Sequence, residues 1–180
     1  MARIDILKKK IDAYLRKEQL LKDQEYTKLE KPFLGKARKN YTVANLMFKI
    51  SGQEELKKVL TLASDFETYD WVIIVSYYSM YVSALAALAR LGFKSKSHAA
   101  TIAVLERHYV HQQKNLEAKH IQQLTKAYVL SEELINKLIQ TKTRRETAQY
   151  DATPAISGEN AASSLEDAEE FITRIEEILS

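Results

Sequence analysis

From Trp71 to Ala89 the chain carries no charged residue. Nineteen helical positions at about 1.5 Å each nearly match the hydrocarbon thickness of a bilayer, so the run is either a membrane span or the centre of a helical core. Its polar content decides between them. Ser76, Ser79 and Ser83, with Tyr77, Tyr78 and Tyr81, lower its hydropathy well below that of a Leu/Ile-rich span. The tyrosines also stand mid-segment rather than at two interfaces. The run is read as the central helix of a bundle, apolar on every side. Ser76, Ser79, Ser83, Ala86 and Ala87 allow neighbouring helices to approach closely. A buried tyrosine hydroxyl left unpaired costs roughly 1–3 kcal/mol, which predicts a polar seam or internal site along the N-terminal half of this helix.

Four glycines and two prolines in 180 residues leave little punctuation, so long helices with short connections are expected. No segment shows strand-like alternation between turn signals. The first helix is expected over about 3–30, with Ile4, Leu7, Ile11, Tyr14, Leu15 and Leu21 on one face and lysines opposite. Pro32 suits the first turn of a second helix, to about Ile50, with Ala37, Tyr41, Ala44 and Phe48 inward. Glu54 and Glu55 suit the positive start of a third, carrying Leu56, Val59, Leu60 and Ala63. The charge-free helix ends at Gly92, and Ser97 caps the next, which reaches about Lys114. A short helix over 117–129 is followed by one that Ser131 caps. The last helix presents Leu165, Ala168, Ile172, Ile175 and Leu179.

Charge is segregated along the chain. Residues 1–60 hold fifteen Lys and Arg against eight Asp and Glu, a balance of +7. Residues 61–93 stand at −2, residues 94–150 at +5 and residues 151–180 at −7. A basic body with an acidic last helix either binds a polyanion or pairs internally. Cysteine is absent, which excludes disulfides and thiolate metal sites and fits a cytoplasmic location. The N-terminal residues are too charged for a signal peptide.

Three stretches together resemble the HEPN superfamily, in the branch with a Tyr-Tyr-x-Met-aromatic signature. They are "SYYSMYVSALAALARLG" (76–92), "KSKSHAATIAVL" (94–105) and "RRETAQYDATPAISGENAASSLEDAEEFITRIEEIL" (144–179). The third is similar to the family's Arg-x-x-Ala-x-Tyr-Asp turn followed by an acidic helix. The resemblance covers 33–179 and implies an all-α, antiparallel up-and-down bundle. Residues 1–31 form a basic amphipathic helical extension that the family pattern does not require. The resemblance further implies a homodimer with a cleft near its interface. In many members the partner is a small nucleotidyltransferase of a toxin–antitoxin pair; other members are metal-independent RNases.

In the RNase branch the motif is Arg, four to six residues, then His. Arg145 fits the arginine, and Arg144 stands beside it. The histidine position holds Tyr150, and no histidine follows His120. Metal-independent RNA cleavage needs one group to deprotonate the 2′-hydroxyl and another to protonate the leaving oxygen. Histidine, with a pKa of ~6.5, serves both tasks; tyrosine, at ~10, is a poor base at neutral pH. Arg145 can hold a phosphate bidentately and Tyr150 can donate to it, so the pair reads as an anion site. His98, beside Lys94 and Lys96, is the imidazole available to a catalytic reading.

The candidate ligand-binding residues are therefore Arg144, Arg145, Tyr150, Asp151, Tyr77, Tyr78 and His98. Catalysis by Arg145 and His98 is expected only if the protein is an endoribonuclease. The structural alternatives are plain. Arginines at a helix C-terminus complement its dipole, Asp151 caps a turn, and the tyrosines fill core. His108, His111 and His120 lack the converging spacing of a metal site, so no metal or cofactor is expected. The leading expectation is a non-catalytic HEPN-type domain that binds a nucleotide, RNA or a nucleotidyltransferase partner. A metal-independent ribonuclease toxin and a structural scaffold with a vestigial cleft are the alternatives. Both readings of the site assume that Arg145 and His98 open into one cavity.

Overall fold

The computed structural model describes residues 2–145 and 156–180, with side chains for 3–136 and 156–180. Helix α1 (Ala2–Arg16) leads into a short strand, β1 (Leu20–Lys22), and a 3-10 helix (Gln24–Leu29). Helices α2 (Glu30–Gly52), α3 (Glu54–Val59) and α4 (Tyr69–Arg90) follow. Strand β2 (Phe93–Ser95), α5 (His98–Leu105), a π-helix (Glu106–Gln112), α6 (Ala118–Arg145) and α7 (Gly158–Leu179) complete the order.

The expected all-α bundle is present. Helices α2, α4, α6 and α7 run alternately up and down, and side-chain pairs fix their senses. Arg90 on α4 bonds Glu30 on α2 at 2.8 Å, and Ser51 on α2 meets Thr68 before α4 at 3.0 Å, so α2 and α4 are antiparallel. Leu134 on α6 packs with Ile73 and Ile74, while Tyr128 lies against Tyr77. The charge-free helix α4 is central. It is long and apolar enough to cross a membrane, and 78% of its most apolar window is buried inside the bundle. Ser79 and Ser83 satisfy their hydroxyls by donating to the Val75 and Met80 carbonyls of their own helix.

The acidic last helix pairs internally. Arg38 on α2 bonds Glu169 at 2.8 Å and Glu176 at 2.6 Å, and Thr173 lies at 3.0 Å. Both carboxylates hold this half-buried guanidinium firmly charged. Lys119 on α6 meets Glu170 at 2.7 Å. Beneath these pairs Phe171, Ile172 and Ile175 are fully buried.

Several local expectations are corrected. The first helix ends at Arg16, not near residue 30. Glu18 takes a left-handed φ of 53°, and the chain then enters β1, where Leu20 is wholly buried opposite Ser95 of β2. Three-residue strands are too short to show a period, so the sequence gives no sign of this ribbon. Gly92 makes the turn between α4 and β2 at φ 73°; a Cβ there would stand 3.1 Å from the Asp23 carbonyl oxygen. Asp23 donates its backbone N–H to the Gly92 carbonyl at 2.9 Å, tying the N-terminal segment to the end of α4.

Helix α3 inverts its expected pattern: Val59 is 79% exposed, while Lys57 is buried. The Lys57 ammonium bonds Glu54 and, at 2.6 Å, the Ser64 carbonyl, so it closes the following loop from within. The two helices expected around Ser131 are one. Ser131 is buried inside α6 and donates to the Tyr128 carbonyl at 3.2 Å rather than capping. The helix from Ser97 turns into the π-helix at Glu106 and is over before Lys114, whose φ is 55°. Leu7 and Ile11 of α1 and Leu20 of β1 belong to the same core cluster as Met80, Leu105 and Phe171.

Candidate functional site

The Ser97 hydroxyl accepts the Ala100 N–H at 3.2 Å, which starts α5 and sets His98 on its first turn. From there the imidazole reaches α4 and α6. It stacks on Tyr128 with ring centroids 4.0 Å apart and planes 13° from parallel. Tyr81 stacks against it at 6.1 Å, and Tyr77 is tilted toward it at 6.1 Å. Tyr77 also meets Tyr128 at 5.7 Å and Tyr81 at 5.8 Å. Four rings from three helices thus form one nest. Tyr77 and Tyr81 are four apart on α4 and share a face; Tyr78 is turned about 100° away, and 43% of it is exposed.

The nest is dry. Both ring nitrogens of His98 are buried without a hydrogen-bond partner, and so is the Ser76 hydroxyl. Burial with no compensating charge pushes the His98 pKa down to about 4. Burial likewise raises that of Tyr77, assisted by its tyrosine neighbours. At neutral pH His98 is therefore an uncharged imidazole, too weak an acid to protonate a leaving oxygen and too weak a base to serve well.

The other histidines are engaged elsewhere. His120 is buried, its Nδ1 accepting the Glu117 N–H at 3.1 Å. His111 Nε2 lies 3.5 Å from Glu106, and His108 is tilted against Phe93 at 6.1 Å. Among the described residues no three His, Asp or Glu side chains converge to hold a metal.

Arg144 and Arg145 close α6. Arg145 follows Tyr128 by seventeen residues of unbroken helix, about 25 Å along its axis at 1.5 Å per residue. Along that axis the backbone of Arg145 stands well beyond the nest, and its side chain lies outside the described residues. Tyr150 and Asp151 lie outside the described residues.

The HEPN domain family model matches residues 51–178. The chain belongs to the HEPN family. No curated protein matches it. The HEPN match includes the whole aromatic nest and begins after most of α2, so α1, β1 and the 3-10 helix precede it. Of the expected HEPN site residues, the fold brings Tyr77 and His98 together, and Tyr78 lies beside them with its ring 5.1 Å from that of Tyr77 and partly exposed. In the sequence Tyr128, whose ring lies nearest His98, reads only as a face residue of its helix. Thirty positions separate the two rings, and no local pattern links them.

Proposed function

We propose that this HEPN domain binds RNA and does not cleave it, with Arg144, Arg145, Tyr150 and Asp151 as the anion-binding turn. The single observation that supports this most is the state of His98. The one imidazole available to an Arg145-based mechanism is uncharged, packed between tyrosines, and far along α6 from the arginines. An RNase built on these residues would lack both its acid and its base. The turn keeps what phosphate binding requires, two guanidinium groups and a phenol.

Pure protein mixed with end-labelled cellular RNA in EDTA is expected to retain the RNA intact, and Arg144→Ala/Arg145→Ala to weaken retention roughly tenfold or more. EDTA-resistant cleavage that Arg145→Ala abolishes would replace this reading with the ribonuclease one.

The domain is also proposed to act as a homodimer. Trp71, Val75 and Tyr78 lie on one face of α4 at i, i+4 and i+7, with Trp71 45% exposed. An uncharged, partly exposed stripe on the central helix suits a two-fold contact with a second copy. A nucleotidyltransferase-type protein, the partner class implied by the family resemblance, would compete for the same stripe. Sedimentation is expected to give a dimer for the wild type and a folded monomer for Trp71→Glu; a wild-type monomer at micromolar concentration refutes this.

A further inference from the structure

Arg38 and Lys119 pair with Glu169, Glu176 and Glu170 of α7, and other basic residues of the chain lie away from that helix. Several of these gather at the β-ribbon. Lys22 pairs in register with Phe93, and Leu21 with Lys94. The Lys22 ammonium stands 5.2 Å from the Phe93 ring centroid, and that of Lys94 stands 5.7 Å from the Tyr26 ring. Lys96 follows β2, its backbone N–H fixed to the Gln19 carbonyl at 2.8 Å. On the neighbouring π-helix, His108 lies against the same Phe93, and Arg107 precedes it.

Four features point to a ligand. First, Lys22, Lys94, Lys96 and Arg107 make no ion pair among the described residues. Acids close in sequence are committed: the Asp23 carboxylate accepts the Glu25 N–H, Glu25 holds Lys28, and Glu106 pairs with Arg3. Second, Arg107 Nε and His108 Nε2 are buried without a partner. Third, burial lowers the His108 pKa, and the Arg107 and Lys22 charges lower it further, so the cations act on one spot. Fourth, none of the large exposed apolar side chains lies on the ribbon or the π-helix. A membrane surface or an apolar protein face would need such side chains; a phosphate backbone does not. π-Helices themselves are frequent at functional sites.

We propose that the ribbon and π-helix are a track for the backbone of single-stranded RNA. Lys22, Lys94, Lys96 and Arg107 contact phosphates, and the half-buried Tyr26 offers a stacking face. This rests on the RNA-binding reading above but places a second contact surface at the opposite end of the bundle from Arg144 and Arg145. Strand β1 precedes the HEPN match, so this surface depends on a segment outside that match.

The test is binding of a fluorescent unstructured RNA 20-mer between 50 and 300 mM KCl. Removing one cation–phosphate pair lowers the slope of log K against log salt by about 0.7. Lys22→Gln/Lys94→Gln/Lys96→Gln, all at exposed positions, is expected to reduce the slope by about 2 and the affinity at 100 mM salt roughly tenfold, with an unchanged melting curve. Adding Arg107→Gln should bring the slope change to nearly 3. Wild-type affinity in the triple variant, with binding abolished in Arg144→Ala/Arg145→Ala, overturns the ribbon track and leaves the RNA reading standing. No RNA binding by the wild type overturns both. Anionic vesicles that compete RNA off the wild type but not off the triple variant would reassign the surface to lipid.

Discussion

Phe171→Ala is expected to remove about 3–5 kcal/mol of unfolding free energy, read as a lower urea midpoint at unchanged slope. Phe171 is fully buried on α7, in the core cluster that joins α1, α4, α5 and α7. Three of the α4 residues in that cluster, Ala84, Ala86 and Ala87, are too short to fill the space a phenyl ring vacates. A cavity that cannot collapse adds its own cost to the lost transfer free energy, which places the effect toward the upper end. Single domains of this size have only about 5–15 kcal/mol in total, so the variant should be largely unfolded near its former midpoint. A loss below about 1 kcal/mol would mean that α7 is not docked as described.

Stability is expected to decline as pH falls from neutrality, with histidines as the cause. His98, His108 and His120 all have lowered pKa values, in each case chiefly through burial. The folded state therefore disfavours the protonated ring, and below the ordinary value of 6.5 the unfolded chain binds more protons. For His98 the contribution is intact above pH 6.5, shrinks as pH falls, and is exhausted near pH 4. One such group sets a slope of at most about 1.4 kcal/mol per pH unit, reduced here because the ring is only partly buried.

His98→Phe keeps an aromatic ring against Tyr128 and removes both unpartnered nitrogens. It should flatten part of the profile and cost little at pH 7. NMR titration of His98 with a midpoint near 6.5, or a profile that His98→Phe leaves unchanged, would contradict desolvation of this ring.

What the sequence discloses is the part governed by period and composition. The charge-free run of α4, the stripe of α7, the Ser97 cap and the Gly92 turn each follow from local chemistry, and each is present. Interactions between distant residues stay hidden. Lys57 looks like a solvent-facing lysine because nothing near it announces the Ser64 carbonyl that it seeks. The expected helical stripe takes in Leu21, yet Leu20 is the wholly buried residue, opposite Ser95 seventy-five positions later. Ser131 has the composition of a cap, but a serine that bonds back to its own helix is tolerated within it. The same distance problem affects the site: the site reading assumes that Arg145 and His98 share a cavity, and nothing local in the sequence discloses the unbroken run of α6 that sets their backbones apart.

That unbroken run gives the molecule a built-in gauge. A stiff rod holds the two arginines at a set remove from the end that bears the lysine-rich ribbon. A mononucleotide could touch one end or the other, never both. Only an extended polymer could bridge them, so length, more than base identity, would be the property this HEPN domain selects.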